Sequence, residues 1–99
     1  MEETITKKEL KNSVNTNTES SWHLLLWNDD VNDMFWITKA LFEVCHLKEE
    51  TAVATMIEAH THGQSIAKSG GRTKMETMKQ GLNDRYINAS VVKDETVSN

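Results

Sequence analysis

The sequence predicts an α+β fold: a three-stranded antiparallel sheet packed against three helices, in the order β-α-α-β-α-β. Three observations predict it. Trp22–Trp27 is a short, largely apolar run of strand length, three later segments carry apolar residues at helical spacing, and Ile87 to Val91 alternates with a period of two. At 99 residues the chain fits one domain, since two would each be left with too small a core.

Residues 1–21 hold ten Ser, Thr or Asn and seven charges, so burial would not offset the entropy of ordering them, and a flexible tail is expected. The folded domain is expected over 22–93, followed by a second tail at 94–99. Trp22-His23-Leu24-Leu25-Leu26-Trp27 opens it as a buried strand. Five Asx residues then fall within Asn28–Asp33, and their side chains bond nearby backbone, which favours turns and helix caps. From Met34 a first helix places Ile37, Leu41, Val44 and Cys45 on one face. A second repeats Ala52, Met56 and Ala59, carries Glu49 and Glu50 in its first turn, and stops near Gly63. Gln64–Lys68, centred on Ile66, reads as a short strand before Gly70-Gly71. Thr73-Lys74-Met75-Glu76 matches a capping box for a third helix through Met78 and Leu82, with Gly81 weakening its last turn. Ile87, Ala89 and Val91 form the inward side of the last strand.

The net charge of −4 disfavours non-specific binding to nucleic acid or anionic membrane. A single cysteine, no long apolar run and an acidic start (Met1-Glu2-Glu3-Thr4) predict a cytoplasmic, unexported protein. Common hydrolase and nucleotide-binding motifs are missing. A calcium loop beginning at Asp30 fails, because Phe35 stands where glycine is needed and Leu41 where the bidentate glutamate is needed. His60 and His62 lie about 200° apart around a helix, so they do not share a metal, and neither metal nor cofactor is expected. Cys45 belongs to the apolar face of its helix. His60 continues the Ala52, Met56, Ala59 face; from the residues alone it is either a hydrogen-bonded core histidine or a site residue.

Leu24-Leu25-Leu26-Trp27-Asn28-Asp29-Asp30 followed by Met34, then Ala52-x-x-x-Met56-x-x-x-His60-x-x-Gly63, resembles the ClpS-type adaptors of ATP-dependent Clp proteases. The resemblance spans about residues 22 to 93. It implies the fold described above and a monomeric, non-catalytic adaptor. Such an adaptor binds proteins whose first residue is bulky and hydrophobic, and delivers them to the amino-terminal domain of a AAA+ Clp unfoldase. It assigns Asn28, Asp29 and His60 to the substrate's α-amino group, and Asp30, Asn32, Met34, Ile37 and Met56 to the adjoining side-chain pocket. These roles suit the chemistry. An ammonium has three donors and needs acceptors from several elements, which a carboxylate, an amide oxygen and a neutral imidazole nitrogen supply.

The chain also departs from the family pattern. Asn32 and Asp33 replace the usual threonine and proline, so a less restrained loop is expected; Ile37 stands where valine is common. Thr73 and Met78 fall at the positions that usually dock the unfoldase, with Glu76 and Lys79 only nearby. The resemblance gives the amino-terminal tail a part in hand-over to the unfoldase. Two other readings compete with the adaptor: a different interaction module on a similar fold, such as the carboxy-terminal domain of the ribosomal stalk protein, and a small acid-base hydrolase using Asp29 and His60. The first leaves Asn28, Asp29 and His60 unexplained, and the second lacks a nucleophile or metal.

Overall fold

Leu24, Leu25 and Leu26 are consecutive and all buried, an arrangement that a half-exposed edge strand could not give. They belong to β1 (Trp22–Trp27), the middle strand of an antiparallel sheet ordered β2-β1-β3, with β2 at Gln64–Gly70 and β3 at Ala89–Lys93. The structure, a computed structural model, describes residues 21–94; the expected tails otherwise lie outside the described residues. Leu24 and Leu26 join the core with residues of α1 (Met34–Cys45), α2 (Glu49–His62) and α3 (Arg72–Asn83). Leu25 lies on the opposite face of the sheet, between Ile66 and Ser90 in the neighbouring strands. Fold class and element order are those the sequence predicts.

Each helix has an identifiable start and stop. Asp33 is the N-cap of α1, its carboxylate accepting the Phe35 N–H at 3.2 Å, and His46 closes the helix in a left-handed conformation. Gly63 closes α2 at φ 93°, a conformation glycine adopts without a Cβ penalty, and its N–H reaches the Ala59 carbonyl at 2.9 Å. Buried Ile37, Ala40, Leu41 and Cys45 of α1 meet Ala52, Met56 and Ala59 of α2 and Met75, Met78 and Leu82 of α3. Burial pushes the Cys45 thiol up to about 11, partly opposed by the charge of Lys68, so it stays protonated at neutral pH and acts as a small core residue.

Several boundaries differ from expectation. The capping box at Thr73 does not form. β2 runs on to Gly70, Gly71 takes the N-cap position without a side-chain bond, and Thr73 falls inside the first turn. Glu76 instead pairs with Lys79 at 3.2 Å. In β2, Ser65 and Ala67 point inward while Ile66 is half exposed, and the buried Ser65 hydroxyl donates to the Thr55 carbonyl at 2.8 Å. Ile87 is buried but precedes β3, its N–H donating to Leu82 at 3.0 Å. At the domain edges Asp94 N–H donates to the Ser21 carbonyl at 2.7 Å, and the His23 ring bridges Ser69 and Asp94.

Gly81 lies where α3 passes α1. A Cβ there would stand 2.8 Å from Cγ1 of Val44, whose β-branched side chain has few other rotamers. Gly81→Ala should therefore destabilise the protein by about 1–2 kcal/mol despite alanine's better helix propensity. Adding Val44→Ala should remove that specific penalty, so a denaturant-melting double-mutant cycle should show favourable coupling between the two sites.

Candidate functional site

The site is assembled where β1 ends. Trp27 N–H still donates to the Asn88 carbonyl at 3.2 Å, and the next residue, Asn28, donates its N–H to the Gly63 carbonyl at 2.9 Å. Gly63 lets α2 turn directly into β2, which pairs with β1 through Trp27 and Gln64. That single backbone bond ties Asn28 to the closing turn of α2, and His60 sits in this turn, three residues before Gly63.

The Asx residues of the following loop each take a separate task. One oxygen of Asp29 accepts the N–H groups of Val31 and Asn32, both at 2.8 Å, and the other accepts the Asn32 side-chain amide at 2.7 Å. The same Asn32 nitrogen donates to the Tyr86 carbonyl at 2.8 Å, linking the loop to the turn between α3 and β3. Trp36 adds a parallel link through its indole N–H to the Arg85 carbonyl at 3.0 Å, and Asp33 caps α1. Hydrogen bonds thus brace the loop where the resemblance leads one to expect a proline. Burial raises the Asp29 pKa, but the Asn32 side chain and the backbone amides of Asn32 and Val31 outweigh it, so its carboxyl is held below the usual carboxylate range. A carboxylate offers about four acceptor directions, so three internal bonds leave one for a ligand.

All eight residues expected at the site, Asn28, Asp29, Asp30, Asn32, Met34, Ile37, Met56 and His60, line one cavity of about 210 Å³, together with Leu26, Trp27 and Ala59. That volume is below the roughly 300–1,000 Å³ of typical small-molecule sites and suits one amino-acid side chain better than a cofactor. His60 is exposed, so the alternative of a core histidine is discarded, and its ring makes no hydrogen bond among the described residues. Among the described residues the Asn28 side chain makes one long hydrogen bond, its amide donating to Asp30 at 3.4 Å. The contributions of the Arg85 and Tyr86 carbonyls were illegible in the sequence. They depend on a left-handed Tyr86 (φ 66°), which no glycine or asparagine announces. Among the described residues no three His, Cys, Asp or Glu converge as a metal site, and no helix is long and apolar enough to cross a membrane.

A family model described as "ATP-dependent Clp protease adaptor protein ClpS" matches residues 17–90. The chain belongs to the ClpS family. It is 36% identical over 88 residues to the ATP-dependent Clp protease adapter protein ClpS of Prochlorococcus marinus, covering 88% of this chain and 84% of that one. The ClpS of Mycobacterium tuberculosis is 26% identical over 77 residues, covering 78% and 76% of the two chains. Among solved structures, Agrobacterium tumefaciens ClpS2 bound to L-phenylalaninamide superposes with a TM-score of 0.69 at 21% identity, covering 76% of this chain and 98% of that one. That likeness establishes the ClpS fold here. Against the family pattern, Met78 is buried in the core and cannot meet a partner. Thr73, the other position, is exposed, as are Arg72 and Lys74 beside it, while Glu76 and Lys79 are half-buried and paired with each other.

Asn32 restrains this ClpS loop through two bonds from one nitrogen, so Asn32→Ala should cost about 1–2 kcal/mol in thermal or denaturant melts. It should also move the Asp29 pKa upward, as followed by carboxyl NMR. The sign for Asp29 follows from its depressed folded pKa: its stabilisation is full above the unfolded carboxylate value and is lost as pH falls through the folded one. Asp29→Asn should therefore flatten the acid limb of the stability profile and leave its alkaline limb unchanged.

Proposed function

We propose that this adaptor binds the amino-terminal residue of proteins that begin with a bulky hydrophobic side chain, and hands those proteins to a AAA+ Clp unfoldase for degradation, catalysing nothing itself. The observation that carries this reading is the composition of one small cavity. Asn28, Asp29 and His60 offer acceptors from the end of β1, the loop and α2, while Leu26, Met34, Ile37, Met56 and Ala59 offer hydrocarbon. An α-ammonium needs the first set and an apolar side chain the second. The L-phenylalaninamide held by the related ClpS2 has both, a free amine beside an aromatic side chain, which supports the reading.

Magnitudes explain why both halves are required. Hydrogen bonds to a charged group are worth about 1.5–3 kcal/mol each, and burying one large apolar side chain gives about 1.5–3 kcal/mol. Association itself costs several kcal/mol, so neither half suffices and the sum corresponds to roughly micromolar affinity. Half-exposed Met34, at the start of α1, is a flexible thioether gate that admits flat and branched side chains alike. The unfoldase side of the proposal rests on the family, with exposed Thr73 and Lys74 and the Glu76–Lys79 pair as the polar groups available on α3.

The test is a titration of a labelled Leu-first peptide against its N-acetylated twin and a Gly-first control. Acetylation removes the charge and two donors and should weaken binding at least about a hundredfold, as should Asp29→Ala combined with His60→Ala. Binding of the free peptide should fall as pH rises through the amine's pKa, about 7.7–8.0, because Asp29 stays ionised there and the ligand loses its charge. Equal binding of the acetylated peptide would falsify the proposal.

Buried Ile37 brings one methylene more than valine into the pocket wall. Trp-first peptides should therefore bind less well than Leu-first or Phe-first ones, and Ile37→Val should narrow that gap by about 1 kcal/mol. Comparable affinities for Trp and Leu in the unaltered protein would remove Ile37 as a selector.

A further inference from the structure

Helix α1 carries a second apolar stripe that the core does not use. Phe35 is 72% exposed and Phe42 55% exposed, and they stand two turns apart on the side facing solvent. Together with Met34, Thr38, Lys39 and Val53 of α2 they line an open groove of about 460 Å³ along the seam between the two helices. Two large aromatics exposed to water along one helix face mark a surface that something covers.

The groove is continuous with the site already described, because Met34 lines both. The order along α2 gives it a direction: His60, then Met56, line the amine and side-chain site, and Val53, then Glu49, line the groove. A polypeptide with its amine at His60 and its first side chain against Met56 therefore finds the groove ahead of its second residue. From Met56 to Glu49 the seam extends about 10 Å at 1.5 Å per residue, the length of about three extended residues. The rim does not favour charge of either sign, since Lys39 and Glu49 oppose each other and Glu43 is paired with Arg85 at 2.7 Å.

We propose that this groove receives residues two to four of the substrate polypeptide and selects apolar side chains among them, so that the adaptor reads a short amino-terminal segment rather than one residue. The inference rests on the amino-terminal binding proposed above and extends it. The occupant is the substrate itself, because the groove adjoins the cavity that joins the three acceptors to an apolar wall.

Isothermal titration with three ligands separates the two claims. These are L-phenylalaninamide, a Leu-first peptide with Gly and Ser at positions two to four, and its counterpart with Leu or Phe at positions three and four. The apolar peptide should bind about tenfold more tightly than the polar one. Phe35→Ser with Phe42→Ser, both at exposed positions, should abolish that difference while leaving phenylalaninamide affinity within about twofold. Equal affinities for the two peptides, or a preference that survives the double variant, overturns the proposal. So does sedimentation showing a dimer that the double variant dissolves, which would make a second copy the occupant. Failure of phenylalaninamide to bind the unaltered protein would instead sink the amino-terminal reading on which the groove depends.

Discussion

The hydrogen bond from Asn28 N–H to the Gly63 carbonyl decides where the site is. It joins the last turn of α2 to the end of the central strand, two places separated by 35 residues of chain. The β1–β2 pairing and the shared core already hold these elements together, and this bond adds the last tie between the loop's first residue and the turn that carries His60. The bond exists because Gly63 is left-handed, so that α2 closes and β2 starts beside β1 within one residue. Any residue with a Cβ would be strained at φ 93°, even though the surrounding space is open. The constraint is conformational rather than steric, and it lies outside the cavity that it shapes.

A second constraint holds the loop from the other side. Asn32 and Trp36 attach the start of α1 to the carbonyls of Tyr86 and Arg85, so the turn before β3 supports the wall opposite His60. Asp29 is consequently both a structural acceptor and a candidate ligand group. Its three internal donors orient it and keep it ionised, and the remaining acceptor direction is available at no further cost of ordering. A carboxylate free of such bonds would have to be immobilised by the substrate, and would bind it less tightly.

The legible part of the molecule was that set by periodicity and local chemistry. β1, the Asx loop with its Asp33 cap, the buried faces of α1 and α2, and the stop at Gly63 followed from residue type and spacing. Thr73 misled because a capping box is a local pattern, whereas the start of α3 is fixed by how far β2 pairs with β1, down to Gly70 opposite Trp22. Ile87 is buried, as its alternation with Ala89 suggests, but turn geometry places it before β3, and that is not written in the residue itself. At the site, the eight expected residues share a cavity, but the carbonyls that brace them come from main chain, which carries no residue-specific signal.

Exposure of Phe35 and Phe42 is harder to reconcile with a purely structural account. α1 already buries Ile37, Ala40, Leu41 and Cys45, a face wide enough to hold the helix, so two aromatics on another side add nothing to the core. They raise the risk of self-association, which charged residues at the same positions would lower. Val31 and Tyr86 are also exposed, but they line a shallower recess with the Asx loop and Asn88, and no residue of α1 or α2 takes part in it. The α1 stripe combines apolar side chains from two helices and adjoins, through Met34, the cavity proposed to take the amine. If Met34 is the gate proposed above, it would couple the two recesses it lines: a side chain lodged in the groove would restrict Met34, which in turn would set the width of the pocket below. Preference for the first residue and for those after it would then be properties of one surface, with the thioether at its centre.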